Sequence, residues 1–143
     1  MLSDFNKYTS NYTYKVEEAV ENLDFSSFIS HLLASQTQTH IFHLQTDSFA
    51  AHKALQKFYE GIDGLTDSLV ESYQGKYGII KGYKTVPVVE YSDLSGVVSY
   101  LTDLRDSIDS SRQNLTEDSF IQNQIDEVLT LFNQTLYLLR FLK

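Results

Sequence analysis

Apolar residues recur at three- and four-residue intervals along four long segments of the chain, and this spacing predicts four amphipathic helices. We expect them over about 25–45, 49–74 and 93–114, with a fourth that opens at 116–118 and runs to about 141. The fourth helix carries Phe120, Ile121, Ile125, Val128, Leu129, Phe132, Leu136 and Leu139 on its apolar stripe. A further short helix is expected over 13–22.

Capping residues support these boundaries. The candidate N-caps are Asp24 for the first long helix, Asp47 or Ser48 for the second and Ser92 for the third. Gly75 or Gly78 is expected to end the second helix, because glycine tolerates the left-handed conformation of a C-terminal cap.

The connection between the second and third helices, GIIKGYKTVPVVEY, is longer than an ordinary loop. Five of the six glycines lie between 61 and 82, and the only proline is Pro87. Its VPVVEY portion has strand-like composition, but a lone strand would have nothing to pair with. The pattern therefore predicts an all-α four-helix bundle over 25–143 with a long crossover between helices two and three, preceded by an N-terminal extension over 1–24.

Composition and charge narrow the function classes. The 143 residues fit one domain. The chain has no cysteine, which excludes disulfides and thiolate metal sites. Its net charge of −8 argues against direct DNA binding. Neither a signal peptide nor a membrane span is expected, so we predict a cytoplasmic location, or the virion or infected host cell if a phage encodes the chain.

The polar side of the second helix concentrates groups that can bind metals. His52, Glu60, Asp63, Asp67 and Glu71 share an arc of about 100°, opposite the apolar stripe. Two interpretations stay open: a solvated face, which is the common case, or a set of ligands. Because this stripe points away from the bundle core, its carboxylates become a buried site only when a second subunit covers them.

Two histidines lie at the junction between the first and second helices. His43 ends the first helix and His52 lies in the first turn of the second, so they enter the same region of space, and His40 is an alternative to His43. Imidazole with carboxylate suits Fe(II), Mn(II) or Zn(II). The chain contains no Glu-x-x-His motif, which disfavours a di-iron centre inside the bundle.

These residues resemble the Dps-like branch (mini-ferritins) of the ferritin-like superfamily. The resemblance covers roughly 25–143 and rests on a histidine near the end of helix one, a second early in helix two, an aspartate fifteen positions later and a glutamate four further on. Here these are His43, His52, Asp67 and Glu71. Phe49 matches a common aromatic, and LVESYQGKYGIIKGYKTVPVVEYSD and LYLLRFL look like the family's crossover and C-terminus.

The resemblance implies a ferroxidase centre between two subunits, at which iron (Fe2+/Fe3+) is bound, oxidised and stored inside a spherical dodecamer. His43, His52, Asp67 and Glu71 are then the metal ligands, and His40, Glu60 and Asp63 are further candidates. Whether the centre holds one or two irons stays open, and Mn2+ and Zn2+ are possible competitors.

The chain departs from the family pattern at several positions. Leu44 stands where a tryptophan is usual, the turn is about three residues shorter, and the family's Lys-rich DNA-binding tail is missing. Gln56 replaces an acid, and a strict twelve-residue histidine spacing would choose His40. Two other functions therefore stay open: a catalytically silent ferritin-like structural or assembly protein, and a bundle whose acidic stripe docks a basic partner.

Overall fold

The computed structural model describes residues 23–143, which form an all-α four-helix bundle. The helices are α1 (Phe25–Gln45), α2 (Phe49–Tyr77), α3 (Leu94–Leu115) and α4 (Ser119–Phe141), and the described part of the chain contains no strand. Most of the predicted extension, including the short helix expected over 13–22, lies outside the described residues. Of the rest, Leu23 is buried in the core and Asp24 caps α1.

Three caps explain where the helices start and stop. Asp24 Oδ1 accepts a hydrogen bond from the Ser27 N–H at 2.8 Å, and Ser48 Oγ accepts one from the Ala51 N–H at 3.2 Å. Gly78 ends α2 with φ +94°, the left-handed region that favours glycine. These confirm the predicted caps.

The third helix begins one residue later than predicted. Asp93, not Ser92, is its N-cap, because the Asp93 carboxylate accepts a hydrogen bond from the Gly96 N–H at 2.7 Å. The sequence offered two adjacent residues with capping ability, and the backbone conformation decides between them.

The core runs the length of the bundle between all four helices, with α2 packed on α1 and α4, and α3 packed on α4 and α1. At its centre the Phe58 and Phe132 rings meet edge to face, with centroids 4.9 Å apart. Phe120, predicted on the apolar stripe of α4, is exposed instead, beneath the ammonium of Lys76. None of the helices within 23–143 is long and apolar enough to span a membrane.

The crossover lies along α1 as an extended strap. Its backbone bonds to three α1 side chains: the Lys84 N–H donates to Ser30 Oγ, the Val89 N–H to Gln38 Oε1 and the Tyr91 N–H to Gln45 Oε1. Gln38 Nε2 also donates back to the Val89 carbonyl, at 2.9 Å. The strap therefore needs no neighbouring strand, since a buried amide from α1 takes its place. It carries the chain from one end of the bundle to the other, so α2 and α3 run parallel.

Candidate metal centre

The two predicted histidines form a reciprocal pair across the α1–α2 turn. His43 Nδ1 lies 2.7 Å from the backbone oxygen of His52, and His52 Nδ1 lies 2.9 Å from the backbone oxygen of His43. The rings stack with centroids 3.6 Å apart and an interplanar angle of 20°. His43 is buried, and His52 remains partly exposed.

This bonding fixes the tautomer of both rings. A carbonyl oxygen only accepts hydrogen bonds, so each Nδ1 must carry the proton. In the neutral rings, each Nε2 then keeps an unprotonated lone pair. Metal-ligating histidines are typically held this way, with one ring nitrogen donating to a carbonyl and the other free to bind.

The turn explains why the two rings meet. Only 46–48 separate α1 from α2, and Ser48 caps the second helix while the Thr46 hydroxyl accepts the Ser48 N–H at 3.2 Å. The His43 carbonyl belongs to the last turn of α1, where carbonyls have no donor within the helix. The His52 ring supplies that donor, so the pair also closes the turn.

His40 stands beside this pair rather than in it. Its ring stacks on Tyr59 with centroids 4.2 Å apart, and its centroid lies 5.8 Å from that of His43. Tyr59 also meets the His43 ring edge-on, at 5.2 Å. Tyr59 was missed by the sequence analysis, although a helical wheel places it only about 20° from His52.

The predicted carboxylates are exposed along α2 and lie far from the histidines of the same chain. Asp67 and Glu71 are fifteen and nineteen residues beyond His52, or about 22 and 28 Å along a helix that rises ~1.5 Å per residue. Within residues 23–143, no three histidine, aspartate or glutamate side chains converge on one metal position. One chain thus brings together His43 and His52, but not the acids.

Gln56 and Glu60 occupy the stretch of α2 between the histidines and the distal acids. Gln56 Nε2 donates to Glu60 Oε1 at 2.9 Å, which leaves the other Glu60 oxygen free of this bond. Glu60 and Asp63 are exposed. The Gln56 amide therefore orients a carboxylate one turn further along the helix.

Comparison with known proteins places the chain among sequences without an assigned activity. It is 28% identical over 114 residues to an uncharacterized 14.6 kDa protein of Enterobacteria phage T4, encoded in the mobD-ri intergenic region. That match covers 78% of this chain and 84% of the phage protein. No solved structure matches the chain significantly. A family model matches residues 43–139, from the buried histidine to the last turns of α4, and the chain belongs to that family of unknown function (DUF5856).

Proposed function

We propose that the protein is a Dps-like ferritin that binds Fe(II), oxidises it and sequesters the product, without a DNA-binding tail. The observation that carries the proposal is the reciprocal histidine pair. Both Nδ1 protons are held by backbone carbonyls, so both Nε2 lone pairs are available for a metal. The resemblance to mini-ferritins supports the same assignment.

The carboxylates complete the ligand set from a second copy of the chain. His43 and His52 of one copy would bind iron with Asp67 and Glu71 of the other, and Glu60 and Asp63 would serve as auxiliary acids. Carboxylate oxygens favour Fe(III) over Fe(II), since they are hard anionic ligands, so binding also drives oxidation. With peroxide as oxidant, two Fe(II) give two electrons to one H2O2, which takes up two protons and leaves as two waters.

Aerobic addition of Fe(II) to the metal-free protein tests the proposal, with ferric absorbance followed beside a buffer blank and then repeated with peroxide. We expect oxidation well above the blank in the wild type, and oxidation at the blank rate in Asp67→Ala. Glu127→Ala removes another exposed acid, from α4, and should behave as the wild type. Equal rates in wild type and Asp67→Ala would refute the assignment.

One observation favours a second candidate, a catalytically silent ferritin-like assembly protein. Gln56 stands in place of an acid, and its amide is bonded to Glu60, which weakens any second metal position. The similar uncharacterized protein of phage T4 is consistent with a phage origin. This function predicts a defined oligomer in native mass spectrometry that is unchanged by chelator, together with iron oxidation no faster than the blank. An oligomer that dissociates in chelator would exclude it.

A further inference from the structure

Four aromatic rings form a continuous series of contacts beside the α1–α2 turn. His43 and His52 stack with centroids 3.6 Å apart, and the Tyr59 ring meets His43 edge-on at 5.2 Å. His40 stacks on Tyr59 with centroids 4.2 Å apart and an interplanar angle of 20°. Tyr59 is a phenol, which can give up an electron and a proton. A side chain that can be oxidised therefore touches one of the two histidines that would bind iron.

The position of Tyr59 on α2 accounts for this contact. Tyr59 lies seven residues, or about two helical turns, beyond His52 and on the same side of the helix. Side chains of a helix tilt toward its N-terminus, so the Tyr59 ring reaches back toward His43. The side chain is partly buried, and its hydroxyl forms no hydrogen bond to another residue within 23–143. A proton that leaves the hydroxyl therefore goes to water.

Peroxide and a single Fe(II) do not match in the number of electrons. Reduction of one H2O2 to two waters takes two electrons, whereas one Fe(II) gives one. The residue one turn after His52 is Gln56, a neutral amide that donates to Glu60 at 2.9 Å. A second Fe(II) beside the first would thus lack an anionic ligand at this position. A lone Fe(II) acting by itself splits peroxide into hydroxide and a hydroxyl radical.

We infer that Tyr59 supplies the second electron. The inference rests on the proposed function, because it concerns the Fe(II) that His43 and His52 would bind. Fe(II) and the Tyr59 phenol each give one electron to H2O2, and the O–O bond breaks. The phenol loses its proton and the solvent supplies one more, so the products are Fe(III), a neutral tyrosyl radical and two waters.

A second Fe(II) completes the cycle after the first has been oxidised. It gives its electron to the tyrosyl radical, which takes up a proton from the solvent and becomes tyrosine again. The overall balance stays at two Fe(II) for each H2O2. The His40 ring covers one face of Tyr59 and so limits the access of other reactants to the radical while it waits.

Tyr59→Phe separates electron transfer from packing. The phenylalanine ring keeps the contacts with His40 and His43, but it is much harder to oxidise than a phenol. If Tyr59 only held the His43 ring in place, this variant would behave as the wild type. Tyr137→Phe is the matched control, because it removes the hydroxyl of a tyrosine on α4 that is 54% exposed.

Electron paramagnetic resonance gives the first measurement. The full-length protein is loaded anaerobically with one Fe(II) per chain, mixed with an equal amount of H2O2 and frozen. We expect a tyrosyl-radical signal in the wild type and in Tyr137→Phe, and none in Tyr59→Phe. In protein that contains ring-deuterated tyrosine the signal should narrow, because the hyperfine coupling to the ring protons is removed.

A spin trap for hydroxyl radical gives the second measurement on the same samples. Tyr59→Phe should release more hydroxyl radical per Fe(II) than the wild type, because its lone Fe(II) can reduce peroxide by only one electron. Fe(II) affinity, measured by anaerobic calorimetry, should be the same in both proteins. A weaker affinity in Tyr59→Phe would show that Tyr59 positions His43, and would overturn its role as electron donor.

The outcomes distinguish this inference from the proposed function. Equal tyrosyl signals in the wild type and Tyr59→Phe would overturn the role of Tyr59 alone. A wild type that oxidises Fe(II) above the blank without forming a tyrosyl radical would do the same. Oxidation no faster than the blank in both proteins would refute the proposed function, and electron transfer from Tyr59 with it.

Discussion

Each of the two short turns of the bundle is closed by two residues whose side chains bond to each other's backbone oxygens, an arrangement that we call a clamp. The two clamps use different residues. Three residues join α1 to α2, and three join α3 to α4. At the first turn, His43 and His52 each bond to the other's backbone oxygen. At the second, Arg112 donates to the Gln122 carbonyl at 2.9 Å and Gln122 donates to the Arg112 carbonyl at 2.8 Å.

The two turns differ in the hydrogen-bonding groups that stay unused once each turn is closed. Arg112 also donates to the Gln122 side chain and pairs with Asp126 at 2.6 Å, and Gln122 donates again to the Thr116 carbonyl. These groups are committed to holding the turn. Each imidazole uses only Nδ1 and keeps Nε2. Closure therefore does not require histidine, and the histidine pair keeps the two ring nitrogens that the proposed function would use to bind a metal.

The largest expected effect comes from removing the free Nε2 of His52 while keeping the hydrogen bond from its side chain to the His43 carbonyl. In His52→Gln the side-chain amide can still donate to the His43 carbonyl, but the imidazole Nε2 is gone. We expect Fe(II) affinity, measured by anaerobic calorimetry, to fall at least about a hundredfold. The free energy of unfolding should change by less than about 1 kcal/mol, because a hydrogen bond replaces a hydrogen bond.

Gln122→Ala is the control, since it opens the other clamp and should leave Fe(II) affinity unchanged. Wild-type Fe(II) affinity in His52→Gln would mean that the histidines only close the turn. The two turns would then not differ in metal binding.

Breaking the second clamp should affect stability alone. Arg112→Ala removes charge-assisted bonds from a side chain that is 13% exposed, so we expect a loss of about 2 kcal/mol in urea unfolding. Arg105→Ala, on the same helix, removes a more exposed arginine and should cost under about 1 kcal/mol. Iron binding should be unchanged in both variants. A loss of iron binding in Arg112→Ala would show that the two turns are not functionally separate.

Periodicity and capping chemistry were sufficient to predict the bundle, because four long segments each bury one stripe. They also placed His43 and His52 near each other, since three turn residues leave little freedom. The hydrogen bonds of the Nδ1 atoms were beyond sequence reasoning, because they depend on ring rotamers and on which carbonyls the helix ends leave free. Gln38 shows the same limit. A mid-helix glutamine gives no sign that its amide will bond to a strap residue 51 positions away.

The smallest expected effect is a pH dependence confined to the α3–α4 end. Asp118 accepts hydrogen bonds from Lys76, at 2.5 Å, and from the Tyr77 hydroxyl, and these bonds hold the pKa of Asp118 below its usual 3.8. Because the pKa is lowered in the folded state, the contribution to stability is full above pH 3.8 and is lost as pH falls through the folded-state value. Melting temperature measured between pH 2 and pH 6 should therefore fall more steeply with acid in the wild type than in Asp118→Asn. Parallel curves would show that the ionised Asp118 carboxylate does not stabilise the fold.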